Sequence, residues 1–341
     1  MNFNNYDKAT LLAITAATVY GILLRILHGL LDPYLGSLIS ISFVVIAPVT
    51  IGFLTIYLVP TNQLKSIKGA IFLPLLSCFL LLCVTIALNI EGTICWIMVF
   101  PLFGFVASLG GVLAFYLKKI SDTNSKNKVI RNRKTLNGSF LLFLPILVGS
   151  IEGDKTLSRK DFEISKSITI QASSKEVWKE LININEVKPE EQKFNLSTFL
   201  GFPRQISTTI EKLEVGGRRV ALYEKGLYFN ETIVELVEEQ RLSLNIDIDP
   251  SSIPVKVMDE HIVLGGKHVD ILQDVYRIKS LPDGTSILTL SSHFYINTAF
   301  NWYAGIWSEY LMSDILNSQI NLIKNRTIRS KLRERDLNRE N

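Results

Sequence analysis

Residues 92–117 read GTICWIMVFPLFGFVASLGGVLAFYL, 26 positions without a charge, and the chain turns basic at the next residue, Lys118. A helix rises about 1.5 Å per residue and the hydrocarbon core of a bilayer is about 30 Å thick, so roughly 20 apolar residues cross it. The stretch reads as a membrane span, and more lie upstream. Ala9–Leu24 has no charge, Pro33–Leu64 is 32 uncharged residues and Gly69–Ile90 is 22. The spacing predicts a four-helix transmembrane region over 1–117, with helices at 9–31, 36–59, 69–90 and 93–117. These are too many and too long for a cleaved signal peptide. Pro48, Pro74 and Pro101 fall inside them, which membrane helices tolerate when neighbours take up the freed carbonyls. Thr135–Ile151, 17 uncharged residues, is at the lower limit for crossing and is read as a short fifth span over 136–152.

Orientation follows from the basic residues. The loop 118–135 holds Lys118, Lys119, Lys126, Lys128, Arg131, Arg133 and Lys134 against the single acid Asp122, and such a cluster beside a span stays cytoplasmic. The turns at Asp32 and Glu91 then fall outside, and Lys65, Lys68 and the N-terminus with Lys8 fall inside. A fifth span puts the chain from Glu152 onward on the non-cytoplasmic side of the cell membrane. If 136–152 lies in the interface instead, that part is cytoplasmic. Arg25 and His28 are one turn apart and share a helix face. They read as snorkelling to the headgroups beside Asp32, or as a functional intramembrane pair. Glu91 reads as a cap on the fourth helix or a partner of Arg25. Cys78, Cys83 and Cys95 all lie in apolar segments, which argues against a disulfide framework and leaves no thiolate chemistry for the second half.

That second half is polar and patterned. After a charged linker over 153–161, Ile164, Lys166, Ile168 and Ile170 alternate with Ser165, Ser167 and Thr169, the period of a strand. Ser173 followed by Glu176 is a capping-box pattern and starts a helix whose apolar face is Val177, Trp178 and Leu181; a second short helical piece is expected over 188–193. Strand signals run over 206–215, 218–225, 227–238 and 241–249. The stretch 251–266 is irregular, and two longer strands, 267–280 and 284–295, follow around the turn Pro282-Asp283-Gly284. A long amphipathic helix is expected from about 299 to 328, carrying Trp302, Tyr303, Ile306, Tyr310, Leu311, Ile315 and Ile320 at three-to-four spacing. The residues 329–341 read as a charged tail. Sequential antiparallel strands and one long helix predict a curved sheet wrapped over that helix.

This order resembles the START-like helix-grip superfamily, which includes polyketide cyclases and Bet v 1-type proteins. The likeness is carried by Ile168, Ile170, Ala172, Glu176 and Trp178 at the opening, by Val215-Gly216-Gly217-Arg218, and by Gly284-Thr285 before the last strand. It covers 162–328 and none of the membrane half. The resemblance implies an α+β domain with an apolar cavity between sheet and helix that holds a hydrophobic small molecule or lipid, and non-catalytic binding is the preferred reading. It implies fold rather than activity, since one fold hosts many functions.

Candidate cavity residues are Trp178, Phe202, Tyr223, His261, His293 and Tyr295, with Trp302, Tyr303, Trp307 and Tyr310 on the long helix. Phe199–Pro203 reads as a lid or as an ordinary packed loop. A rival reading is a cyclase- or hydrolase-like enzyme with His293 or His261 as base and Glu224, Glu231, Asp270 or Asp274 as partner. Another is a membrane sensor or assembly protein with a protein partner. No metal, nucleotide or hydrolase motif is present, so no cofactor and no metal are expected. The net charge of +4 is not that of a nucleic-acid binder, and the expected partners are membrane lipids and a hydrophobic molecule.

Overall fold

Charge-free runs of Leu, Ile, Phe and Ala satisfy their backbone within themselves once removed from water, and the first half of the chain is helical. The computed structural model describes residues 5–31, 39–64, 66–88, 90, 93–124, 134–152, 155–192, 194–253 and 263–340. It divides into the units Met1–Leu157 and Ser158–Asn341, described in turn.

In the first unit, α1 is Asn5–Leu30, a π-helical turn Ser42–Ile46 runs into α2 (Ala47–Leu58), α3 is Ile67–Ala87, α4 is Thr93–Asn124 and α5 is Lys134–Glu152. Three of them, over Lys8–Leu30, Ile67–Ala87 and Trp96–Ile120, are long and apolar enough to cross a membrane; Ser42–Leu58 and Phe140–Glu152 are shorter apolar helices. The basic stretch begins as helix rather than loop, because nothing after Leu117 breaks α4. Lys118 instead donates its Nζ to the carbonyl of Ile56 at 2.9 Å and to that of Val59, two acceptors the end of α2 leaves open. Most of the remaining basic residues, together with Glu91, lie outside the described residues.

Glycine sets the packing distance. A Cβ on Gly52 would sit 1.8 Å from the carbonyl oxygen of Ala107, and one on Gly110 2.1 Å from that of Val49. Backbones of α2 and α4 therefore touch, the close approach that small residues permit between membrane helices. Arg25 and His28 are buried, 4% and 0% exposed. They do not snorkel, because their helix face turns inward: His28 meets the edge of the Phe43 ring at 5.2 Å and Arg25 reaches the Ile90 carbonyl at 3.3 Å. Glu152, 7% exposed, accepts hydrogen bonds from the backbone N–H groups of Ile41 and Ser42 at 2.7 and 2.8 Å. Its carboxylate caps the positive end of the helix leading into α2.

The second unit holds β1 (Ser158–Ile170), α6 (Ser174–Ile182), a 3-10 turn Pro189–Glu191, α7 (Leu196–Phe199), β2 (Gln205–Ile210), β3 (Arg218–Tyr223), β4 (Tyr228–Val237), β5 (Arg241–Asp247), β6 (Val269–Ser280), β7 (Ser286–Thr298) and α8 (Asn301–Glu340). One antiparallel sheet runs β1-β7-β6-β5-β4-β3-β2. With α8 lying along β1 and β7, this is a helix-grip fold. The capping box forms as expected: Glu176 N–H donates to Ser173 Oγ, and the Ser173 N–H to Glu176 Oε2 at 2.6 Å. The core joins Ile170, Trp178 and Leu181 to Leu242, Leu288 and Leu290, and closes with Met312, Leu316 and Ile320 of α8.

Two boundaries move. β1 starts at Ser158, inside the stretch read as linker, because ladder pairing needs only backbone and an exposed face accepts charge. Arg159 pairs with Asp161 at 2.9 Å and lies over the Tyr295 ring at 4.0 Å. The tail read over 329–341 continues α8 to Glu340. It contains no Gly or Pro, and Lys331 and Glu334 pair with Glu176 and Lys179 of α6.

The glycine contacts predict that Gly110→Ala lowers the thermal midpoint of the helical unit, since the Cβ meets backbone. Gly104→Ala meets only the mobile end of Leu75 and is expected to leave it nearly unchanged. Fluorescence-detected size exclusion after heating compares the two; equal midpoints would contradict the packing.

Candidate ligand-binding site

Register decides which side chains share a face. On β1, Phe162, Ile168 and Ile170 point toward α8 and Asp161, Glu163 and Ser165 away. Their partners on β7 follow: Phe294 opposite Phe162 and Ser292 opposite Ile164 face inward, and His293 opposite Glu163 and Ser291 opposite Ser165 face outward. β6 carries a bulge between Ile271 and Gln273. It switches the alternation, so Ile271 and Asp274 both face inward while Gln273 joins His293 outside. On β4 and β3 the same reading puts Glu231 opposite Arg219, and Phe229 opposite Ala221, on the inner face.

A belt of polar groups therefore crosses the inner face. Arg219 and Glu231, 3% and 5% exposed, form an ion pair at 3.2 Å. Three strand spacings of about 4.8 Å separate β3 from β6, yet the Arg219 guanidinium lies 5.7 Å from the centre of the Tyr276 ring. The curved sheet and a long side chain close that gap. Tyr276 Oη donates to Gln319 Oε1 on α8 at 3.2 Å. Asp274 sits opposite Ser292 on β7 and opposite Leu244 on β5. Tyr223 tilts against Phe229 with ring centres 5.0 Å apart.

The belt lies at a seam. On one side is the main core, with Ile233, Leu242, Leu244 and Tyr276. On the other is a separate apolar cluster of Leu227, Phe229, Ile248 and Ile253, packed against Tyr223, Ile246 and Ile271. No α8 residue belongs to that second cluster among the described residues. Several belt atoms are incompletely bonded: Arg219 Nε, Asp274 Oδ1 and Ser292 Oγ make no hydrogen bond, and Glu231 Oε2 has only the ion pair with Arg219. Buried polar atoms are nearly always satisfied, which makes the belt a candidate site for a further polar group.

Electrostatics agree. Burial pushes Glu231 up to about 7, with Arg219 opposing and Asp274 adding to the shift. Burial likewise pushes Asp274 up to about 6 against Ser292 and Arg219. Burial works against the Arg219 charge, but Glu231 and the two tyrosines outweigh it and hold the guanidinium protonated. Burial also raises Tyr276 to about 12 and Tyr223 well above its ordinary value. Perturbed groups clustered in this way are a signature of functional sites.

The expected site residues are dispersed. Tyr223 is on the inner face at the belt. Trp178 is buried in the main core, with its Nε1 unpartnered. Phe202 is half-buried beside α7, where Asn195 and Ser197 bond Ser318 and Asp314 of α8. His293 and Tyr295 are on the outer face, the side away from α8. His293 Nε2 faces Asp161 at 3.5 Å in a pocket of about 300 Å³ lined also by Glu163, Arg241, Gln273 and Arg277. None of the four carboxylates expected as its partner is there, because strand alternation puts Glu231 and Asp274 on the opposite side. Tyr295 Oη donates to the Gly266 carbonyl at 3.0 Å. His268 Nδ1 meets the Asn297 carbonyl at 3.0 Å, and His261 lies outside the described residues. On α8, Trp302 and Tyr310 are 63% and 55% exposed, whereas Tyr303 and Trp307 are half-buried. Among the described residues no three His, Cys, Asp or Glu side chains gather as metal ligands.

No family model and no curated protein matches the chain. Among solved structures it is similar to a norcoclaurine synthase point mutant from Thalictrum flavum, with 13% identity and a TM-score of 0.31 over 51% of this chain and 98% of that one. It is also similar to a START superfamily protein from Mycobacterium smegmatis, with 11% identity and a TM-score of 0.33 over 49% and 97%. A protein from Nitrosospira multiformis gives 16% identity and a TM-score of 0.27 over 46% and 94%.

The acids predict a pH dependence. Asp274 holds its proton to about pH 6 in the folded domain, against 3.8 for the ordinary group. The native state thus binds more protons than the unfolded chain between those values, and stability falls as pH rises across the window. Asp274→Asn is expected to flatten that fall in calorimetric scans of the full chain between about pH 4 and 6. An unchanged slope would show that Asp274 is not the group responsible.

Proposed function

We propose that this is a membrane-anchored binding protein whose helix-grip domain takes a hydrophobic molecule on the inner face of its sheet, apolar body against the second cluster and polar head at the belt. The observation that carries this reading is the position of the four incompletely bonded belt atoms. They lie where the main core ends and the Leu227, Phe229, Ile248 and Ile253 cluster begins. Ligand pockets combine a mainly apolar wall with a few convergent polar groups, which is the composition found there. The rival reading with His293 as base is not favoured, because His293 and its neighbour Asp161 are on the other face of the sheet.

The helical unit supplies the anchor. The basic cluster after Leu117 sets the orientation, with the N-terminus cytoplasmic, and α5 crosses as a short fifth span that leaves the soluble domain on the non-cytoplasmic side. Membrane lipids are then both the solvent of the anchor and the nearest source of hydrophobic ligand.

Mass spectrometry of the protein, purified in lipid-free polymer after exchange with a mixed lipid extract, is expected to detect a bound hydrophobic molecule at near-equal ratio. Phe229→Arg, which places a charge in the second cluster, is expected to lower occupancy at least tenfold while the helical unit is unaffected. An empty parent protein, or equal occupancy in the variant, would refute the assignment. A phosphatase reporter fused after Asn341 is expected to be active only outside the cytoplasm; activity of a cytoplasmic reporter there would remove the fifth span.

A further inference from the structure

The first three turns of α8 are apolar on the side that faces away from the sheet. Trp302, Ile306 and Tyr310 stand four residues apart and share a helix face, and they are 63%, 63% and 55% exposed. Tyr303 and Trp307 flank them, half-buried. From Asn301 to Ser313 the one charged residue is Glu309. The inner side of the same helix already packs on the core: a Cβ on Gly305 would meet the Phe162 ring, and Met312 and Leu316 are core residues. The stripe is therefore not used in folding the second unit. After Tyr310 the outward side turns polar, with Asn317, Asn321 and Asn325 continuing the same line. Among the described residues, exposed large apolar side chains return on α8 only at Leu332 and Leu337, more than about 30 Å further along the helix. A contiguous exposed apolar patch marks an interaction site, and this one is confined to one end of α8.

That end is where the second unit begins. Ser158 pairs with Thr298, and Asn301, the first residue of α8, donates its Nδ2 to the Ser158 carbonyl. Trp302 comes next. Upstream, Ser158 follows six positions after Glu152, the end of the apolar helix α5, a covalent reach of at most about 20 Å. Part of that reach is folded back, since the Lys155 N–H donates to the Glu152 carbonyl at 3.2 Å and Thr156 Oγ1 to the Glu152 carboxylate at 2.7 Å. An apolar helix that crosses a bilayer, or lies in its surface, ends among the headgroups in either case. Chain connectivity alone thus keeps the Ser158 end of the domain, with the start of α8, close to that layer.

We infer that Trp302, Ile306 and Tyr310 insert into the headgroup layer of the membrane that holds the helical unit, so that the domain touches lipid through the first three turns of α8. This rests on the anchor reading of the helical unit and holds whichever side of the membrane the domain occupies. Indole and phenol rings have an apolar body and a polar edge and collect at headgroup depth. Ile306 between them adds purely apolar area. Glu309 opposes an anionic surface, so the contact is apolar insertion rather than charge attraction. A second copy of the chain fits less well, because a stable interface takes about 20–30 residues a side and the apolar stripe ends at Tyr310.

The test uses the full chain in phosphatidylcholine nanodiscs. An environment-sensitive fluorescent amino acid replaces Ile306, Asn317 or Phe105, all exposed positions. Nitroxide lipids labelled at the headgroup or deep in the acyl chain serve as quenchers. The probe at 306 is expected to emit at shorter wavelength than in water and to lose about half or more of its intensity to the headgroup label, less to the deep one. The probe at 317 is expected to behave as in water, and that at 105, on α4, to be quenched mainly by the deep label. Trp302→Ser combined with Tyr310→Ser is expected to remove most of the quenching at 306 and none at 105. Quenching at 105 without quenching at 306 would overturn the insertion and leave the anchor standing; no quenching at any position would overturn both. A blue-shifted probe at 306 that neither lipid quenches would overturn it in favour of a covering protein, whether a second copy or a partner. Equal quenching at 306 and 317 would overturn the stripe as the point of contact.

Discussion

The pairing of β1 with β7 governs the second unit. The first strand joins the last through an unbroken register from Ser158 opposite Thr298 to Ile170 opposite Ser286, so a sheet otherwise built from consecutive hairpins takes its first strand at the far edge. The helix start is tied to the same place, because Asn301 Nδ2 donates to the Ser158 carbonyl and Asn301 Oδ1 accepts from Thr298 N–H at 3.0 Å. Phe162 and Phe294 stack at 5.4 Å beneath Gly305, where a side chain would hold α8 off the sheet. α8 can lie along β1 and β7 only because these contacts form together. The sheet beyond β6 receives less cover from it, and the second apolar cluster collects there.

The buried Arg219–Glu231 pair makes little sense as a stabilising device. Taking both charges from water costs several kcal/mol each, and apolar replacements of such pairs are often neutral or better, whereas removal of one partner costs about 3–5 kcal/mol. The exposed pairs on α8 are worth about 1 kcal/mol or less each. A pair retained in a core with Arg219 Nε unsatisfied and Glu231 Oε2 held by the ion pair alone therefore weakens the empty domain. An occupant that completes those bonds recovers the difference, which links the weak point of the fold to its proposed use.

Charge-free length was enough to read the helical half, and period-two alternation with the Ser173–Glu176 box was enough to order the strands and the short helix. The site was much less legible, for reasons that lie in particular strands. In β3 the apolar pair Val220 and Leu222 faces outward while Arg219, Ala221 and Tyr223 face inward, the reverse of what apolarity alone suggests. In β6 the bulge after Ile271 turns Asp274 inward, and a bulge leaves no composition signal. Glu231 and Asp274 were visible only as possible partners for a histidine. Alternation alone puts His293 on one face with Ser291 and Tyr295; it does not say that this face is the outer one. A run such as Arg219 to Tyr223, with polar side chains at alternate positions and a matching acid on the next strand, is the signal that would have found the belt.

The short helix α5 could be taken for a loose tether, and its contacts argue otherwise. Pro145 cannot donate to the carbonyl one turn before it, and polar groups of other helices bond that part of α5. Tyr20 donates to the Leu142 carbonyl at 2.7 Å and Ser42 Oγ to that of Pro145. At its end Glu152 holds two N–H groups of the helix leading into α2, and Thr156 donates to the same carboxylate at 2.7 Å. Among packed apolar helices each such bond satisfies a polar group that would otherwise be buried without a partner. This 19-residue helix is thereby held by its neighbours. Its last turn is built into the helical unit.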